Sequence, residues 1–263
     1  MRRLMKFTRG GVDSSQTELG EVVGDSITVL RGSLFEGPQP TGETVALSDV
    51  LPRVPCHPGK FIGLWNNFRA AAEKNGQTIP AEPLYFIKPA TSYATHGAPI
   101  VAPAGYDGRL VFEGELGVVI GQRARNVSPE QATDCIFGYT TVNDVTALDY
   151  ITRDASFAQW TRAKGCDGFG LFGPVIATGL DPRTLVVRSI LNGRERQNYP
   201  VADAIFAPHE VVSHLSRDMT LEPGDIIALG TSLGVAPLKP GATIEITIDG
   251  IGSLVNTMAS STP

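Results

Sequence analysis

Residues 111–120 read Val-Phe-Glu-Gly-Glu-Leu-Gly-Val-Val-Ile, an apolar run suited to burial that nevertheless carries two glutamates two positions apart. Strand alternation throws Glu113 and Glu115 onto one face, roughly 7 Å apart along the chain. Two buried anions at that spacing raise each other's pKa and cost several kcal/mol unless a cation lies between them. A third acid, Asp144, follows in an equally apolar context. Three hard oxygen ligands suit Mg²⁺ or Mn²⁺, with positions left for water and a chelating substrate, whereas zinc would more often recruit His or Cys. The plain alternative for an E-x-E pair is a solvated strand face, and the pair alone does not decide between them.

The rest of the chain favours β structure around that segment. With 29 glycines and 19 prolines among 263 residues, many short Val/Ile/Thr runs and Pro-Gly turns at Pro223-Gly224 and Pro240-Gly241, a helix-dominated architecture is excluded. The length allows a sizeable core and one large domain or one and a half. A net charge of -5, with no Lys/Arg cluster beyond the first few residues, leaves no electrostatic footprint for nucleic acid. Cys56, Cys135 and Cys166 are odd in number and lack C-x-x-C spacing, so they read as small buried hydrophobes in a reducing compartment. No stretch approaches the roughly 18 apolar residues of a membrane span, and the basic amino terminus is not followed by an apolar leader segment. A cytoplasmic protein is expected.

Short strands and turns from Met1 to Pro58 suggest a small amino-terminal β domain, with Val22 to Leu30 forming a hairpin over Gly24-Asp25. The Pro-rich stretch Leu51 to Pro58 then leads into a main domain over 59–263. A helix is expected over Asn66 to Asn75, stopped by Asn75-Gly76, and another after Ser128, where Ser-Pro-Glu-Gln sets a cap, a first-turn proline and an acid in order. Residues 149–160 are mixed and suggest a short helix over the site. From Ile226 to Val255 strands alternate with Gly turns, as in a closing barrel or roll.

Four ordered segments carry a family resemblance. Gly138-Tyr139-Thr140-Thr141-Val142-Asn143-Asp144-Val145-Thr146-Ala147-Leu148-Asp149 resembles the GYTxxNDVTARD segment of the fumarylacetoacetate hydrolase family, and Ala163 to Pro174 resembles its AKxxDxFxPxGP. Asn192-Gly193-Arg194-Glu195-Arg196-Gln197 matches NGxxRQ, and Met219 to Val235 is similar to MTLxPGDxIxTGTPxGV. The resemblance implies a β-rich α+β fold, a mixed β-roll or barrel with a small amino-terminal β domain. It implies that Glu113, Glu115 and Asp144 hold a divalent metal near the open end of the roll, and that the protein is a homodimer. The implied activity is on a 2-oxo or 2-hydroxydienoic acid or diacid, with the metal as electron sink for an enolate. C–C cleavage by decarboxylation or acylpyruvate-type hydrolysis in aromatic catabolism, keto-enol isomerisation, and a silent oxo-acid-binding relative are the readings it leaves open. The most similar branch is that of 2-hydroxyhepta-2,4-diene-1,7-dioate isomerase and 5-oxopent-3-ene-1,2,5-tricarboxylate decarboxylase.

Within that resemblance Lys164 is the electrostatic or proton-transfer partner, because a lysine beside an enolate stabilises its charge. Thr231 and the backbone at Gly230 are expected to receive the substrate carboxylate, although Ser232 replaces a proline that would stiffen the turn. Lys88, in Phe86-Ile87-Lys88-Pro89, matches a motif compatible with substrate binding or a structural role. Hydrolytic members carry G-x-N-Y-x-x-H-x-x-E, and aligning on Asn66 or Asn67 puts Ala70 or Ala71 at the histidine. Glu73 is then left as the candidate base. The family's arginine after Thr-Ala is Leu148 here and a following glutamine is Ile151, which predicts a more apolar wall at the substrate's distal end.

Overall fold

A computed structural model describes residues 1–10 and 16–260. Its largest sheet runs, in spatial order, Gln39–Ala46, Ser26–Arg31, Glu18–Val23, Arg3–Arg9, Gly170–Ala177, Ile136–Asp144, Gly114–Ile120, Ile226–Ala228, Phe61–Trp65 and Leu84–Lys88. Most neighbours are antiparallel, but Ile226–Ala228 pairs parallel with Phe61–Trp65, so the sheet is mixed. A second sheet orders Arg194–Pro200, Val186–Leu191, Thr243–Ile248, Gly252–Met258 and Pro99–Ile100. The described sheets are open at their ends, which makes the fold a β-rich α+β roll rather than a closed barrel.

The amino-terminal strands extend the large sheet. Met5 pairs with Val175, and the hairpin expected at Gly24-Asp25 forms, with Val23 opposite Ser26 and Gly24 at φ +58. Part of the Pro-rich stretch is strand rather than linker. Val50–Arg53 pairs with the first strand and places Phe7 opposite Pro52. Proline is tolerated there because this short strand lies off the main order of the sheet, with a free edge that needs no donor.

Strand 114–120 is buried on both faces. Leu116, Val118 and Ile120 enter one core cluster, while Val119 enters a second with Phe61, Val142, Phe172 and Ile226. By alternation Glu115 therefore shares the Val119 face, and Asp144 shares the face of Val142 on the neighbouring strand.

Among the described residues the helices are short. α1 spans Arg69–Lys74, α2 Pro129–Cys135, α3 Leu148–Ile151, α4 Trp160–Lys164 and α5 Pro208–Asp218. None is long and apolar enough to cross a membrane. α2 starts as its sequence dictates, with reciprocal bonds between Ser128 and Gln131. α1 is shorter than the Asn66–Asn75 expectation. Asn66 adopts φ 57, and the Asn67 side chain bonds Phe206 N and Leu229 O instead of capping a helix, so the first turn is spent on tertiary anchoring.

Candidate metal centre

The apolar run 111–120 is not one strand. Leu110–Phe112 belongs to a small sheet and Gly114–Ile120 to the large one, with Glu113 at the crossing between them. Gly114 pairs with Asn143, and Asp144 N donates to Glu113 O at 2.9 Å, which sets Glu113 across from Asp144 and Glu115 one pleat further along. One ligand oxygen from each of Glu113, Glu115 and Asp144 lies within 4.8 Å of the others. The spacing in sequence and the pairing of two strands thus converge on one acidic cluster.

Gly114 is what allows this approach. A Cβ at 114 would collide with Ser189 Oγ and stand 3.0 Å from Gln197 Oε1, so any side chain would push the segment off the second sheet. The Gly114→Ala variant touches no ligand but should shift both flanking glutamates, lowering Mg²⁺ affinity on the order of tenfold by calorimetry. Unchanged affinity in a folded variant would show that the crossing tolerates the methyl group.

Two ammonium groups partly neutralise the acids. Lys164 Nζ bonds Glu113 Oε1 at 2.8 Å and Asp144 Oδ2 at 2.7 Å. Lys88 Nζ pairs with Asp144 Oδ1 from beneath, and its side chain is wholly buried. Burial alone would raise the Asp144 carboxyl, but Lys164 and Lys88 outweigh it and hold the group below its ordinary value. Burial lowers the Lys88 ammonium despite Asp144. Burial also opposes the Lys164 ammonium, yet Asp144, Glu113 and Glu115 together raise it above its ordinary value, so it serves as a fixed positive charge. Glu115 has no such partner. Burial, then Asp144 and Glu113, push its carboxyl well above the usual range.

The donor set fits a divalent cation. Glu115 Oε2 accepts from Gly230 N at 2.8 Å, but its buried Oε1 has no partner among the described residues. A buried carboxylate oxygen left unmatched beside two further carboxylates is the arrangement a hard cation would complete. Thr146 Oγ1 donates to Glu113 Oε1 at 2.6 Å and orients that carboxylate from behind.

Glu113, Lys164 and Thr231 border a cavity of about 320 Å³, within the range of small-molecule sites. Thr231 and Gly230 lie on a loop held tightly despite Ser232 at the proline position. Gln197 Nε2 donates to Thr231 Oγ1 at 2.8 Å and to Ser232 O at 3.2 Å, and Thr231 Oγ1 donates to Gly114 O at 3.0 Å. Gln197 therefore links the loop to the E-x-E segment. Its motif was visible in sequence, but its role arises from contacts with residues 34 and 35 positions away.

Other expected residues are placed differently. Lys88 faces Asp144 rather than the cavity, and Glu73 is exposed on α1, outside the cavity lining. Ala71 borders the cavity and Ala70 does not. The opposite wall is aromatic, a feature local sequence did not announce because it joins three elements. Trp160 of α4 stacks near-parallel on Phe86 at 5.9 Å and leans on Trp65 at 5.6 Å, while Leu148 and Ile151 of α3 line the same space.

Residues 60–259 match the family model described as fumarylacetoacetate (FAA) hydrolase C-terminal, and residues 5–51 match the Rv2993c-like N-terminal model. Protein Rv2993c of Mycobacterium tuberculosis is 39% identical over 242 residues, covering 91% of this chain and 90% of that protein. The 4-hydroxyphenylacetate degradation bifunctional isomerase/decarboxylase of Salmonella dublin is 34% identical over 238 residues, 89% of this chain but 55% of that protein. The crystal structure of 2-hydroxyhepta-2,4-diene-1,7-dioate isomerase from Mycobacterium marinum superposes with a TM-score of 0.88 at 34% identity, covering 98% of each chain. With the family model matched over residues 60–259 and the fold shared over 98% of the chain, this chain belongs to the fumarylacetoacetate hydrolase family.

Proposed function

We propose that this chain is an Mg²⁺- or Mn²⁺-dependent enzyme acting on a 2-oxo or 2-hydroxydienoic acid, by decarboxylation or keto-enol isomerisation rather than hydrolysis. The observation that carries this reading is the convergence of Glu113, Glu115 and Asp144 within 4.8 Å, beside a cavity that Glu113 and Lys164 border. Those three carboxylates would hold the ion. A divalent metal so held would act as a Lewis acid toward a 2-oxo acid, stabilising developing negative charge by several kcal/mol.

The remaining work falls to the chain's own groups. Lys164 fixes a positive charge at the cavity floor and can stabilise negative charge developing on an enolate oxygen. Thr231 borders the cavity, but its hydroxyl donates to Gly114 O and the Gly230 N–H to Glu115 Oε2, so receiving a substrate carboxylate there would require one of these bonds to exchange. Water activation has no evident agent, since alanine stands at the histidine position and Glu73 is exposed away from the cavity. That supports non-hydrolytic chemistry, as do the names of the Salmonella dublin and Mycobacterium marinum relatives. Aromatic-compound catabolism is the setting those names suggest.

We place the protein in the cytoplasm, consistent with the absence of disulfides among Cys56, Cys135 and Cys166. We also propose a homodimer with a unit over 1–58 preceding the catalytic one. The edge strand Leu84–Lys88 exposes Leu84, Tyr85 and Ile87 and would gain from cover; sedimentation as a monomer at micromolar concentration would remove the dimer.

A panel of acylpyruvates, oxaloacetate and hydroxymuconate-like acids assayed with and without Mg²⁺ tests the activity. Turnover of at least one oxo acid, lost on chelation and restored by Mg²⁺ or Mn²⁺, is expected. Turnover indifferent to chelation would overturn the metal reading, and oxo-acid binding without any turnover would identify a silent relative.

A further inference from the structure

We infer that the cavity selects 2-oxo acids whose distal arm is uncharged and apolar, alkyl or aryl, and discriminates against a second carboxylate. This deepens the proposed function and rests on it, since the acidic cluster must first anchor the oxo-acid head.

The head and the arm meet different walls. At the floor lie Glu113 and Lys164, the two charged residues among the described residues lining the cavity, and both are already engaged. Lys164 is held by Glu113 and Asp144, while Glu113 also accepts from Thr146. Beyond them one wall is Trp65, Phe86, Leu148, Ile151 and Trp160, while the amides of Asn66, Asn75 and Gln77 on the side of α1 are polar but uncharged. Lys164 Nζ sits 5.2 Å over the Phe86 ring, so the charged floor passes directly into the aromatic wall.

Apart from Lys164, the cations of α3, α4 and the neighbouring turns are committed elsewhere. Arg162 lies 4.5 Å and Arg153 5.6 Å over the Tyr150 ring. Arg109 pairs with Asp149 at 3.2 Å. None of the three lines the cavity. A distal carboxylate entering this space would shed water without gaining a cation, whereas a methyl or phenyl group would bury apolar surface against three aromatic rings. Discrimination by a missing partner is stronger than discrimination by size alone, because the penalty falls on the wrong ligand only.

Calorimetry at fixed ionic strength with saturating Mg²⁺ supplies the test, using 2-oxohexanoate and 2-oxoadipate, which share a six-carbon chain and differ in a terminal methyl against a carboxylate. Oxalate is the control for the head group and 2-oxo-4-phenylbutanoate the aryl probe. The expected result is that 2-oxohexanoate binds about tenfold or more tighter than 2-oxoadipate, with the phenyl compound at least as tight as 2-oxohexanoate. Leu148→Arg should close or invert that ratio by supplying a cation, and Ile151→Lys serves the same purpose if the first variant melts early. Oxalate binding together with equal or tighter binding of 2-oxoadipate to the wild-type protein would overturn this inference alone. Failure of oxalate to bind in the presence of Mg²⁺ would overturn the inference along with the functional reading beneath it.

Discussion

Replacing Glu115 with alanine should abolish divalent-metal binding and reduce turnover about 10³-fold or more, the loss expected when several kcal/mol of Lewis-acid stabilisation disappear. Glu115 would be the critical ligand of the three because its carboxylate has least to do otherwise. Glu113 and Asp144 each bond Lys164, and Asp144 also bonds Lys88, so both have cationic partners in the protein itself. Glu115 has one backbone donor and an unmatched buried oxygen, in surroundings that disfavour its charge. A metal would convert that liability into binding energy, and the wild-type protein should melt several degrees higher when Mg²⁺ is added well above its Kd. In the Glu115→Ala variant the metal-free protein should be no less stable, since a repelled carboxyl has been removed, but the shift on adding Mg²⁺ should vanish. A variant that kept both the melting shift and full turnover would show that the ligand set had been misassigned.

The same cluster shows what could be read from the chain. Glu113 and Glu115 sit two apart in an apolar run and Asp144 ends another, so the candidate ligands were legible, while the pairing of Gly114 with Asn143 that brings the three acids together was not a property of either segment alone. The hairpin at Gly24-Asp25 and the cap at Ser128 were legible for a similar reason, each depending on residues within one turn of each other. The length of α1 was not. Asn66 and Asn67 have acceptable helical neighbours, but their conformations are set by bonds to Thr78, Phe206 and Leu229, distant in sequence and invisible to local propensity. Lys88 illustrates a subtler limit. The motif around Lys88 is compatible with substrate binding or a structural role, and only the packing of strand 84–88 near Asp144 reveals a buried counter-ion. The aromatic wall is the extreme case, assembled from Trp65, Phe86 and Trp160 on separate elements with no shared motif.

Lys164 and Glu73 provide the experiment that separates non-hydrolytic from hydrolytic chemistry. Lys164→Met should lower kcat on the order of a hundredfold or more, because the ammonium is nearly fully buried, raised in pKa and aimed at the acids that would hold the substrate's head. Methionine keeps much of the side chain's length and apolar volume, so the packing beside Phe86 is largely preserved while the charge is lost. Removing that charge leaves Asp144 with Lys88 alone, and a melting curve at saturating Mg²⁺ must accompany the kinetics so that unfolding is not mistaken for lost catalysis. Glu73→Gln should cost less than about tenfold, since an exposed carboxylate outside the cavity lining gives little general-base assistance. Hydrolysis with Glu73 as the base predicts the opposite order, together with ¹⁸O from labelled water in the acid product. Comparing the two variants on the best substrate of the oxo-acid panel therefore decides between mechanisms by rank, independent of the absolute rate: a larger loss at Glu73 would require α1 to close over the cavity and carry that residue inward during turnover.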